Sequence, residues 1–143
     1  MSTLILLLPA LFICHVAAIY TQQSAEEIYQ KLREAKTADD FRKIFRDPFN
    51  HVYCNRPAIT VSGEGFEKFL KDREVIKAKY DADGYITTGW KIEEFQLKGG
   101  DGFDFLIRLD YTKGEERVVL KTGYQVSKKD DGLKIDSSGS ICD

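Results

Sequence analysis

Three patterns of apolar residues follow one another along the chain. The first is an uncharged run from Leu4 to Val16, broken only by Pro9 and His15 and closed by the small residues Val16-Ala17-Ala18. That is the length of a signal-peptide core followed by a cleavage site, although the segment before it carries no Lys or Arg. A spanning helix needs about 20 apolar residues, and here polar Thr21-Gln22-Gln23-Ser24 follows at once. Residues 1–18 therefore read as a leader that is removed, with a membrane anchor or a buried N-terminal helix as the competing readings.

The second pattern has the period of a helix. Ser24-Ala25-Glu26-Glu27 is a capping box, after which Ile28, Leu32 and Ala35 recur on one face with Tyr29 beside them. Thr37-Ala38-Asp39-Asp40 is a second start signal, with Phe41, Ile44 and Phe45 as its apolar face. Pro48 should stop that helix near Arg46 or Asp47. Phe49–Asn55 then reads as a short strand, and Ser62-Gly63-Glu64-Gly65 opens a third, shorter helix bearing Phe66, Phe69 and Leu70.

From Glu74 the expected period is two. Turn signals at Asp81–Gly84, Lys98–Gly102, Thr112–Glu115 and Lys128–Gly132 divide the remainder into strand candidates Glu74–Tyr80, Tyr85–Leu97, Phe103–Tyr111, Arg117–Ser127 and Leu133–Ile141. Phe103, Phe105, Ile107, Leu109 and Tyr111 form one apolar stripe, and Val118, Leu120, Thr122, Tyr124 and Val126 a second; Asp104, Arg108 and Asp110 face the other way. Tyr85–Leu97 changes parity between Trp90/Ile92 and Phe95/Leu97, which a bulge near Glu93-Glu94 would reconcile. Short turns make neighbouring strands antiparallel. The expected architecture is an α+β roll, with N-terminal helices packed on a bent antiparallel sheet.

Composition narrows the function classes. About 125 residues remain after the leader, so residues 19–143 make one domain. The net charge is −2, and acids and bases alternate along the chain, so there is no basic stripe for nucleic acid. No later apolar stretch could span a membrane. Cys14 leaves with the leader, so the mature chain keeps Cys54 and Cys142. An even pair in an exported protein suggests one disulfide, whose loop of nearly 90 residues would contribute roughly 4 kcal/mol in the chain-entropy model. Two unpaired thiols are the alternative. Asn50 and Asn55 are the only asparagines, and neither begins a glycosylation sequon.

The paired helices Ser24–Arg46, the short strand at Val52, the helix at Phe66–Leu70 and the long strands from Tyr85, with Trp90 near the middle of the first, resemble the nuclear transport factor 2-like superfamily of cystatin-like rolls. The resemblance covers the whole mature chain and points to its small secreted single-domain members. It implies a cone between sheet and helices that serves as enzyme pocket, binding pocket or packed core, and homodimers through the outer sheet face. Here Arg108, Asp110 and Lys121 make that face polar.

Ketosteroid isomerase and scytalone dehydratase, enzymes of this superfamily, place acids, His or Tyr inside the cone. The inward stripes of this chain contain no acid, so no catalytic residue is assigned. His51, the remaining histidine, reads as structural or exposed on a short edge strand. One His and two cysteines supply too few ligands for zinc, and neither a metal nor a cofactor is expected. Gly99-Gly100-Asp101-Gly102 joins two strands and is a hairpin turn, not a phosphate cradle. The residual signal is aromatic: Tyr53, Trp90, Phe105, Tyr111 and Tyr124 are candidate pocket residues, against the simpler reading of core and rim aromatics. Cystatin-type inhibition lacks its motifs: Gln125-Val126-Ser127-Lys128-Lys129 has no glycine at the required place, and there is no Pro-Trp pair. The expectation is a secreted, non-catalytic binding domain for a protein or a small apolar ligand. The alternative is an isomerase- or dehydratase-like enzyme, or a carrier of small apolar ligands, using the cone.

Overall fold

A computed structural model describes residues 20–142; the segment expected to be a leader, residues 1–18, with Cys14 and His15, lies outside them. Two short helices come first, α1 (Gln22–Glu34) and α2 (Ala38–Ile44). The first starts one turn earlier than its capping signal suggested: Thr21 is the N-cap and Ser24, not Glu27, closes the box. Its buried face is Ala25, Ile28, Tyr29 and Leu32, at i, i+3, i+4 and i+7. The start of α2 is as read. The Asp40 amide donates to Thr37 Oγ1, and the Asp40 carboxylate accepts from the amides of Lys36 and Thr37. These backbone bonds hold the Asp40 carboxyl below its ordinary range.

Strand β1 (Phe45–Tyr53) begins immediately after α2 and so takes in Pro48, which was expected to lie beyond a longer helix. Pro48 falls in the stretch between Phe45 and Asn50 where pairing with the neighbouring strand is irregular, so its missing N–H interrupts no regular ladder. Strand β2 (Ile59–Val61) is short. Helix α3 (Gly65–Ala82) is the longest of the three, and it absorbs the segment Glu74–Tyr80 that alternation had suggested as a strand. The lysine-, glutamate- and alanine-rich sequence from Phe66 contains no breaker until Gly84, which takes φ +85, so the helix propagates through it.

Four long strands follow: β3 (Ile86–Lys98), β4 (Gly102–Lys113), β5 (Glu116–Lys129) and β6 (Gly132–Ile141). The sheet order is β2-β1-β6-β5-β4-β3. It is mixed, because β1 runs parallel to β6 while every other pair is antiparallel. The bulge expected near Glu93 is present between Ile92 and Glu94, and a second lies between Thr87 and Gly89. Gly99–Gly102 forms the hairpin between β3 and β4, as read.

The helices cover one face of this sheet. The narrow end of the space beneath them is filled. Phe41, Phe45, Phe49, Phe66, Phe103, Ile107 and Ile135 are the largest fully buried side chains. Phe45 and Phe49 sit 4.4 Å apart by ring centroids, and Phe69 meets Phe45 at 5.8 Å and Phe49 at 5.2 Å. Tyr20 closes this end against Phe103 at 5.3 Å.

The opposite face of the sheet is polar and ion-paired. Asp110 bonds Arg117 and Arg108, which hold its carboxyl below the usual range. Glu93 pairs with Lys121, and Asp104 with Lys98 at 2.9 Å. Arg46 ties β1 to the other end of the chain through Asp136 and Asp131, and it holds the Asp131 carboxyl low. Cys54 and Cys142 are bonded, with Cα atoms 5.0 Å apart, closing a separation of 88 residues.

Candidate functional site

The wide end of the cone is built differently from the narrow end. Helix α3 crosses above the sheet: Phe66 packs on Phe49 at 5.5 Å, and Tyr80, four turns later, stacks on Tyr111 at 4.9 Å. Phe66, Leu70, Arg73 and Tyr80 share one helical face. Under the middle of this helix lie Tyr29 from α1 and Tyr124 from β5, with ring centroids 6.2 Å apart. Trp90 meets Tyr29 edge-on at 4.8 Å, and the Arg33 guanidinium lies 5.8 Å from the Trp90 ring.

Tyr29 is 3% exposed and Tyr124 8% as whole residues, but the sealed side-chain polar atom without a hydrogen-bond partner among the described residues is Asp104 Oδ1, not either phenol oxygen. Burial pushes both phenols' pKa up, so both stay protonated at neutral pH; the positive charge of Arg73 opposes the rise at each. Arg73 donates only to the Leu32 carbonyl, at 3.4 Å, and lies 5.3 Å from the Phe41 ring. No carboxylate among the described residues pairs with Arg73 or Arg33.

Deeper in the cone, His51 Nδ1 shares a hydrogen bond with Ser138 Oγ at 2.8 Å and packs edge-on against Phe69 at 5.1 Å. Ser138 is 6% exposed, and burial lowers the His51 pKa, leaving the ring neutral. The expectation of a short edge strand is corrected, since β1 has nine residues and is paired on both sides. A His-Ser pair with no acid bonded to the ring lacks the third group of a nucleophilic triad.

All five aromatic candidates read from the sequence lie on the inner face. Phe105 stacks on Tyr124 at 5.1 Å, Trp90 joins the pair through Tyr29, and Tyr111 lies under Tyr80. Tyr53 stands apart, 40% exposed with Arg56 over its ring. Sequence reasoning missed Tyr80 because it placed Glu74–Tyr80 in a strand, and it missed Arg73 because only Phe66, Phe69 and Leu70 were read as the helix face. It noted Tyr29 only as a neighbour of the helix face.

Two hollows lie away from the cone. One of about 220 Å³ is bordered by Lys31, Glu34 and Lys43. An open groove of about 420 Å³ crosses the outer sheet face. Its floor is the register pair Gly123 and Gly139, and Asn50, Gln96, Gln125 and Ser137 line it.

No protein-family model and no curated protein matches the sequence. Solved structures do match in fold. A domain of unknown function with a cystatin-like fold from Nostoc punctiforme superposes with a TM-score of 0.59 at 12% identity, covering 87% of this chain and 78% of that one. An NTF-2 like protein of unknown function from Shewanella oneidensis gives 0.53 at 14% identity, covering 82% and 98%. An NTF2-like protein from Cytophaga hutchinsonii gives 0.55 at 9% identity, covering 87% and 100%. The chain has the nuclear transport factor 2-like, cystatin-like fold. At these identities the likeness extends to the fold alone.

Proposed function

We propose that this protein is an exported, non-catalytic binding domain built on the nuclear transport factor 2-like fold. One observation carries the non-catalytic half. Over Phe103–Tyr111 and Val118–Val126 the inner face of the central strands bears no carboxylate. Asp104 and Asp110 lie on the other face, each engaged by a cation. A general base needs to be aimed into an apolar pocket with its pKa raised; here the Asp110 pKa is lowered. The polar aromatic lining of the wide end favours a small ligand over a protein as the object of binding. Export is supported by the pattern of residues 1–18 and by the Cys54–Cys142 bond.

Mass spectrometry of the protein expressed from its full sequence in a secreting cell tests this reading. The denatured mass from the medium should correspond to loss of residues 1–18 with no alkylatable thiol. The native mass should show a retained small molecule or a capacity to take one up. An intact N-terminus on protein held in the cell overturns export. Turnover of a ketone or hydroxylated cyclic substrate by the purified protein overturns the non-catalytic half.

A further inference from the structure

Gly123 and Gly139 are register partners on the two central strands, β5 and β6, on the polar face of the sheet. Glycine in a strand interior weakens a sheet, so a pair of them needs a cause. The fold supplies none here. Neither residue takes a positive φ. An added Cβ would meet only ordinary contacts, 3.8 Å from the Leu106 side chain at Gly123 and 3.9 Å from the Val52 side chain at Gly139. Gly102 is the contrast, because a Cβ there would run into the Val126 carbonyl oxygen. What the missing side chains at 123 and 139 keep clear is the floor of the open groove of about 420 Å³. Along one side of that floor runs a single cross-strand row, Gln96, Asp104, Gln125, Ser137 and Asn50, each the register partner of the next. At about 4.8 Å per strand the row is about 19 Å long. Its amides and hydroxyl both donate and accept hydrogen bonds. Ser137 Oγ donates to Gln125 Oε1 at 2.7 Å. Asp104 gives one oxygen to Lys98 at 2.9 Å, while its Oδ1 is sealed from water with no partner among the described residues.

We propose that this groove binds a neutral oligosaccharide laid across the strands. Sugar hydroxyls donate and accept as the row does, so each finds a partner whichever way it turns. One of them donates to Asp104 Oδ1 as the exposed Gln96 or Gln125 beside it turns aside. The rings lie on the glycine floor, with Leu106 at one end and Val52 at the other for their C–H faces. An anionic chain would meet the carboxylates of Glu94 and Asp104. A peptide gains most at a sheet edge, where backbone pairs with backbone; a groove that crosses the strands offers it side chains alone. The site lies on the opposite face of the sheet from the cone and does not depend on what the cone binds.

Backbone amide NMR of the folded, oxidised protein tests this. The probes are cellotetraose, maltotetraose, chitotetraose and mannotetraose, with tetragalacturonate and a glycine-serine tetrapeptide as controls. At least one neutral sugar should shift the Gly123, Gly139 and Gln125 amides saturably, and both controls should bind about tenfold more weakly or worse. Gly123→Ala with Gly139→Ala should weaken that sugar by about tenfold or more and melt no lower than the parent, since alanine fits both places and strengthens the strands. Gln125→Ala should weaken it by about twofold to tenfold, the range for one hydrogen bond. No saturable shift with any of the four sugars, a control that binds as well, or a double alanine variant that keeps full affinity overturns the site. So does a double variant that melts several degrees lower, which would return the glycines to the fold. Each of these results leaves the cone and export readings standing, because native mass spectrometry and the N-terminus test those separately.

Discussion

Phe45 and Tyr124 are both aromatic, both on the inner face of the sheet and both nearly sealed from water, and they sit in neighbouring cross-strand rows, yet their surroundings differ. Phe45 sits among Phe41, Phe49 and Phe69 with ring centroids 4.4–5.9 Å away, a set with no polar atom to satisfy. Tyr124 packs as closely, 5.1 Å from Phe105, but carries a hydroxyl with no partner among the described residues and faces an unpaired arginine. The phenylalanine cluster is built for stability, since its burial is all apolar and its rings lie close together. The tyrosine pair instead places two phenols, kept protonated by burial, in an otherwise apolar surround.

Breaking the narrow end should give the largest effect. Phe45→Ala leaves a cavity among the three rings of Phe41, Phe49 and Phe69 and should cost about 3–5 kcal/mol by urea denaturation. A loss under about 1 kcal/mol would mean that this end is not a packed core. Next comes the chain closure. Cys54→Ser with Cys142→Ser removes the bond that ties the end of β1 to the residue after β6. It should cost about 2–5 kcal/mol in reversible unfolding. A loss under about 1 kcal/mol would show that the ends of β1 and β6 are held by the sheet pairing alone.

His51 lies between the two ends and gives a smaller, pH-dependent effect. Burial lowers its pKa from the ordinary 6.5, so the unfolded chain binds the proton more readily than the folded one. Stability should be fully present above that ordinary value and fall as the pH drops through it. The urea midpoint should therefore decline between about pH 7.5 and about pH 5.5, and His51→Gln should flatten the decline. A midpoint that rises over the same interval would place His51 in contact with an acid and reverse the assignment of its neutral form.

Much of the fold was legible in the sequence because period and parity survive packing. The stripe Phe103–Phe105–Ile107 is buried as read, and the parity break in β3 marks a real bulge. The errors came where one residue serves two patterns. Val75, Lys77 and Lys79 alternate with Glu74, Ile76 and Ala78 well enough to imitate a strand, yet Phe66, Leu70, Arg73 and Tyr80 also fall on one helical face, and the helix won. The parallel pairing of β1 with β6 is a long-range choice that no local turn encodes. The site suffered from the same error. Its aromatic floor was legible as an inward stripe, but Tyr80 above it belonged to the misassigned segment Glu74–Tyr80, and Arg73 fell just before that segment, outside the apolar positions read for the helix.

The most direct test of the contrast is the thermal melt of a Tyr29→Phe/Tyr124→Phe double variant beside that of Phe45→Ala. The account predicts that the double variant melts within a few degrees of the parent, because neither hydroxyl bonds another group among the described residues, while Phe45→Ala melts far lower. A double variant that melts as low as Phe45→Ala would show that these hydroxyls hold the fold together as firmly as the phenylalanine cluster does.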